Sequence, residues 1–131
     1  MNYTFPGVYT AVVNAIKAGF PDVYATSRYV GKPSSFPAVY IHEIDRNRPL
    51  RFTQLDFEDS QWESNIEIQV VSDKSVTAST EAHDIIDLAR AAFSALYYRE
   101  VSLIPIDAGD KFTLIGRYRR VIGGGDTMPE T

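Results

Sequence analysis

The sequence predicts an α+β fold: a mainly antiparallel β-sheet with two helices packed on one face and an extended loop or arm. Three observations lead there. Two segments repeat apolar residues at a helical period, several others alternate or run apolar over strand lengths, and their order is α-β-β-(arm)-β-α-β-β. At 131 residues the chain has the length of one domain, expected over 1–123 with the arm at 45–63 and a flexible polar tail at 124–131.

The first helix carries Val8, Val12, Ala15 and Ile16 on one side, with Ala11 and Val13 beside them. Thr4 is placed to cap it, Pro6 suits its first turn, and Gly19 is a stop signal. VYATSRYV, residues 23–30, is rich in β-branched and aromatic side chains and reads as a strand. After the turn GKPSS comes FPAVYIHEI, residues 36–44, where Pro37 fits only the start or edge of a strand. Both faces of this strand are largely apolar: Ala38, Tyr40 and Ile44 on one, Val39 and Ile41 on the other. Such a strand needs two covers, and one helix layer supplies one.

SNIEIQVVS, residues 64–72, alternates Ile66, Ile68 and Val70 with Asn65, Glu67 and Gln69, and Trp62 shares the isoleucine parity. The second helix is expected from about Thr80 to Tyr98, with the stripe Ala82, Ile85, Ile86, Ala89, Phe93 and Leu96. Glu81, Asp84 and Asp87 lie early in it and Arg90 and Arg99 late, as the helix dipole favours. VSLIPI and KFTLIGRYRRVI then form a hairpin around Asp107–Asp110. Gly116 within its second strand marks a bulge or a close approach.

Composition narrows the function. No run approaches the roughly 20 apolar residues of a membrane helix, and MNYTFPG has neither a basic n-region nor an apolar h-region, so no secretory signal is expected. Without cysteine there is no disulfide, thiolate nucleophile or zinc-cysteine site. A net charge of -4 opposes a dedicated nucleic-acid binder.

The residues that resemble catalytic groups have ordinary explanations. His42 alternates with Tyr40 and Ile44 and reads as a packed or interface histidine, and His83 with Asp87 one turn on reads as a solvated helix surface lacking a third metal ligand. Asp107 and Asp110 are turn residues. Gly123–Gly125 precede no helix that would cradle a phosphate. No catalytic residue, cofactor or metal is expected, and the chain reads as a non-enzyme.

Two basic clusters stand out: Arg46, Arg48 and Arg51, and the strand arginines Arg117 and Arg119 with Arg120 opposite. Nine arginines against four lysines favour directional contacts of the kind found at protein interfaces. The segment RNRPLRFTQLDFEDSQWE, 46–63, breaks strand parity: Leu50 and Phe52 are even, Leu55 and Phe57 odd. It is basic at its start and acidic at its end, so it can pair with a second copy head to tail and close a ring. In that arrangement Arg46, Arg48 and Arg51 of one subunit meet Asp56, Glu58 or Asp59 of the next, around the anchors Leu55, Phe57 and Trp62. Arg117, Arg119 and Arg120 remain for a partner or a ring lumen.

Over residues 5–123 the chain resembles the tail terminator (tail completion, or minor tail) proteins of long-tailed bacteriophages. The resemblance lies in an N-terminal helix leading to FPAVYIHEID, a charged arm entering ESNIEIQVVSD, the helix EAHDIIDLARAAFSAL, and a hairpin ending in GRYRRVI. It implies a virion protein of the tail or neck, assembled in the host cytoplasm. Six copies would form a ring that caps the tail tube, stops its polymerisation and faces the head connector or stopper protein. DNA would be only passing cargo, and no membrane is involved. Two other readings stay open: another head-tail joining component such as the connector's stopper ring, and a small nucleic-acid-binding module using Arg117, Arg119 and Arg120.

Overall fold

A computed structural model describes residues 4–28, 33, 35–47, 62–73, 77–108 and 110–122. The elements follow the expected order: α1 (Phe5–Gly19), β1 (Tyr24–Thr26), β2 (Ala38–Asn47), β3 (Trp62–Ser72), α2 (Ala78–Ala95), β4 (Arg99–Asp107) and β5 (Phe112–Ile122). The five strands form one sheet in the order β1-β2-β3-β5-β4, parallel between β1 and β2 and antiparallel elsewhere. The fold is α+β.

Both helices lie on the same face of the sheet. Thr4 caps α1, its hydroxyl accepting from the Gly7 amide at 3.2 Å. Val8, Val12, Val13 and Ile16 are buried from α1, and the whole α2 stripe, Ala82, Ile85, Ile86, Ala89, Phe93 and Leu96, is buried as its spacing predicts. These meet Val39 and Ile41 of β2, Ile66, Ile68 and Val70 of β3, and Leu114 and Tyr118 of β5 in one core. Each fully buried aliphatic chain contributes about 1.5–3 kcal/mol. Gly19 lies close against α2: a Cβ there would stand 2.9 Å from Leu88 Cδ1, the end of a flexible side chain.

Several boundaries differ from expectation. Within the expected strand 23–30, β1 ends at Thr26, whose hydroxyl bonds both the amide and the carbonyl of Arg28 and turns the chain, and residues 29 and 30 lie outside the described residues. Helix α2 begins two residues earlier than expected and stops at Ala95. There the Tyr98 amide reaches back to the Phe93 carbonyl at 2.8 Å and Tyr97 takes φ 65°, a left-handed cap filled by a non-glycine. Arg99 therefore belongs to β4 rather than to the helix. Finally, β2 and β3 run into the expected arm, pairing Asp45 with Asn65, Arg46 with Ser64 and Asn47 with Glu63. The remaining arm residues, including Arg48, Arg51, Leu55, Asp56, Phe57, Glu58 and Asp59, lie outside the described residues, as does the tail.

Gly116 resolves in favour of close approach. Pairing passes through it without a shift, while its missing Cβ would lie 3.1 Å from Tyr118 Cε2 and 3.3 Å from Ile68 Cγ2. The bulges fall elsewhere, at Ile44 in β2 and Val101 in β4.

Polar groups among the helix-side residues are bonded in chains. Tyr98 donates to Ser64 at 2.9 Å, Ser64 donates to Glu43 at 2.9 Å, and the Arg46 guanidinium donates to the same carboxylate oxygen at 3.0 and 3.2 Å. Tyr118 and Arg90 both donate to Glu100 Oε2, at 3.0 and 2.7 Å. Both phenols are held above their usual value of 10.0, first by burial, and for Tyr118 also by the adjoining Glu100 carboxylate. The folded state therefore keeps these protons where the unfolded chain releases them. The associated stability is complete below pH 10 and falls as pH rises above that value. Circular dichroism through a base titration should show cooperative unfolding above pH 10, coincident with the last step of tyrosinate absorbance, after the exposed phenols have ionised. Ionisation of all eight tyrosines, Tyr98 and Tyr118 included, with the fold intact would contradict this burial.

Candidate interaction face

The helices leave one sheet face without a covering element among the described residues. The register sends to it Tyr40 and His42 from β2, Asn65, Glu67 and Gln69 from β3, Ile115, Arg117 and Arg119 from β5, and Arg99, Ser102, Ile104 and Ile106 from β4. Its two ends differ. Toward Ile104, Ile106 and Ile115 the surface is apolar, with Ile104 and Ile106 both exposed. Toward Arg99 it is charged.

The charged end has its own order. Glu67 is buried in mid-sheet, where one oxygen accepts from Arg117 at 3.0 Å and the other from Gln69 at 3.0 Å. Arg119 donates to Asn65 at 2.9 Å and stands 3.4 Å from Glu63, while Asn65 reaches Asp45 at 2.6 Å. These contacts form a lattice that fixes the floor, although each exposed pair adds at most about 1 kcal/mol.

Both bulges open onto this floor. Pairing skips Ile44 between Glu43 and Asp45, and skips Val101 between Glu100 and Ser102. A bulge re-aims the extra side chain. Ile44 is 42% exposed and Val101 49%, and both line one depression of about 270 Å3 with Asp45, Glu63, Asn65, Arg117 and Arg119. Their strands lie three inter-strand spacings apart, roughly 14 Å. Two apolar rims thus flank a fixed polar floor, a form suited to another protein surface: apolar contact for affinity and polar contact for register.

The sequence-predicted residues distribute unevenly. Arg117 and Arg119 sit on this face with Arg120 on the other, as strand parity requires. Arg117 is held by Glu67, and Arg120 donates to the Leu96 carbonyl at 2.7 Å. Arg46 is bonded within its own chain to Glu43, a partner that the expected intersubunit contact did not include. Trp62 opens β3 opposite Ile122 and is 37% exposed. The structure does not bring Arg46 or Trp62 to the depression. His42 stacks on Tyr40, with centroids 4.6 Å apart, and its buried Nδ1 has no partner among the described residues. His83 Nδ1 donates to the Ser79 carbonyl at 2.7 Å, and Asp87 pairs with Arg90 at 2.8 Å. Among the described residues, no group of three or more His, Cys, Asp and Glu is placed to hold a metal, and no helix is long and apolar enough to cross a membrane.

Ile44 and Val101 were missed as candidates because nothing in their local sequence separates a bulged residue from its neighbours. No protein-family model matches this chain, and no curated protein matches it.

Proposed function

We infer that this chain is a structural protein of a long-tailed phage virion, a terminator whose copies close into a ring on the end of the tail tube. The ring, expected to have six members, ends tube polymerisation and offers its other side to the head connector or stopper protein. The observation that supports this most is the half-covered sheet, with Ile44 and Val101 exposed by bulges over an ion-paired floor. A terminator needs no reaction. It needs complementary surfaces, and a heterologous contact that closes on itself consumes the surface that would otherwise propagate. The element order matches the arrangement on which the resemblance rests.

The test is to add the purified protein to polymerising tail-tube subunits and, separately, to connector rings. Tubes that stop elongating and carry a terminal ring in electron micrographs support the terminator. Unchanged elongation together with tight binding to the connector would identify a stopper ring instead. Binding to neither would remove the proposal.

A further inference from the structure

We propose that the depression at the junction of α2, β4 and β5 binds a carboxylate-bearing segment of a protein partner, with Arg99 and Arg119 as the recognising pair. The depression measures about 470 Å3 and is lined by Tyr97, Arg99, Val101, Arg119 and Arg120, with Glu63 its one acidic lining residue.

Arg99 and Arg119 stand directly opposite each other in the β4–β5 ladder. Like charges in that position are destabilising. Arg119 is partly offset by Asn65 and Glu63, at 2.9 and 3.4 Å. The Arg99 side chain has no hydrogen bond or ion pair among the described residues. The pair is an unbalanced positive site on a chain of net charge -4.

The other wall is held in place. Arg120 is anchored on the Leu96 carbonyl at 2.7 Å and its guanidinium lies 5.2 Å from the centroid of the Tyr97 ring. Tyr97 has φ 65° and is 70% exposed. A bulky residue in the left-handed region is strained, and such strain persists at sites where the side chain is put to use. Here it sets an aromatic ring against the Arg120 guanidinium, in a depression that Arg99 and Arg119 also line.

This chemistry selects the ligand. Guanidinium forks match carboxylates with paired hydrogen bonds, and the exposed Tyr97 ring offers apolar contact to the stem of an aspartate or glutamate. Nucleic acid fits less well. A phosphate backbone requires a run of free cations, whereas Arg117 and Arg46 are bonded to Glu67 and Glu43. The proposal does not depend on the ring reading, since any acidic partner segment satisfies it.

The experiment is a titration of the isotopically labelled protein with acetylated hexaglutamate peptide, followed by amide NMR shifts. Expected are saturable shifts centred on residues 97–101 and 119–121. Arg99→Glu should weaken binding by about tenfold, Arg99→Lys should weaken it less, and neither should lower the melting temperature. No shifts at millimolar peptide, shifts that ignore Arg99→Glu, or tighter binding of a single-stranded oligonucleotide of equal charge would each overturn the proposal.

Discussion

Replacing Phe93 by alanine is expected to remove about 3–5 kcal/mol of folding stability. Phe93 is fully buried on α2, stacked on Tyr118 with centroids 4.2 Å apart and planes 13° apart, and edge-on to Tyr98 at 5.6 Å. It therefore joins three things at once: the helix, the interior strand β5 and the turn that ends α2. Its loss leaves a cavity beside Tyr118, whose hydroxyl is positioned on Glu100. A domain of this size is stable by roughly 5–15 kcal/mol in total, so the variant should unfold at far lower urea than the parent. A midpoint shift too small to represent even 1 kcal/mol would mean that the core is not organised around this stack.

The second large effect concerns assembly. The double variant Ile44→Asp, Val101→Asp is expected to abolish ring formation while leaving the fold intact. Both side chains are about half exposed in the single chain, so little burial is lost on folding. In a closed interface the same groups become desolvated anchors, where a single truncation commonly costs 2 kcal/mol or more and a buried unpaired carboxylate costs further. Sedimentation at a concentration where the parent forms rings, alongside circular dichroism, separates the two effects. Rings that persist in the double variant would exclude this depression as the subunit contact. The arm would then carry it, and reversing Arg48 and Arg51 to glutamate becomes the informative change.

Much of the fold was legible because burial follows periodicity. Ile66, Ile68 and Val70 alternate, the stripe from Ala82 to Leu96 repeats at helical spacing, and each set is buried where its pattern predicts. What escaped depends on single local conformations. Strand β1 ends at Thr26 because one hydroxyl, that of Thr26 itself, satisfies the backbone of Arg28. The end of α2 carries no glycine, so a left-handed cap at Tyr97 has no sequence mark, and Arg99 reads as a dipole-favoured helix residue although it opens β4. The two bulges are set by how four strands fit together, which the residues Ile44 and Val101 do not encode alone. The lattice of Glu67, Arg117, Asn65 and Arg119 likewise depends on strand order, since β5 lies between β3 and β4 rather than at an edge.

The measurement closest to the central claim is the solution mass of the purified protein, by light scattering across a concentration series. One chain weighs 14.7 kDa, and a closed ring of six would weigh about 88 kDa. A discrete species of that mass, unchanged over a wide range of concentration, is the predicted result. A single chain at every concentration, or a mass that grows without limit, would contradict a surface built to close on itself.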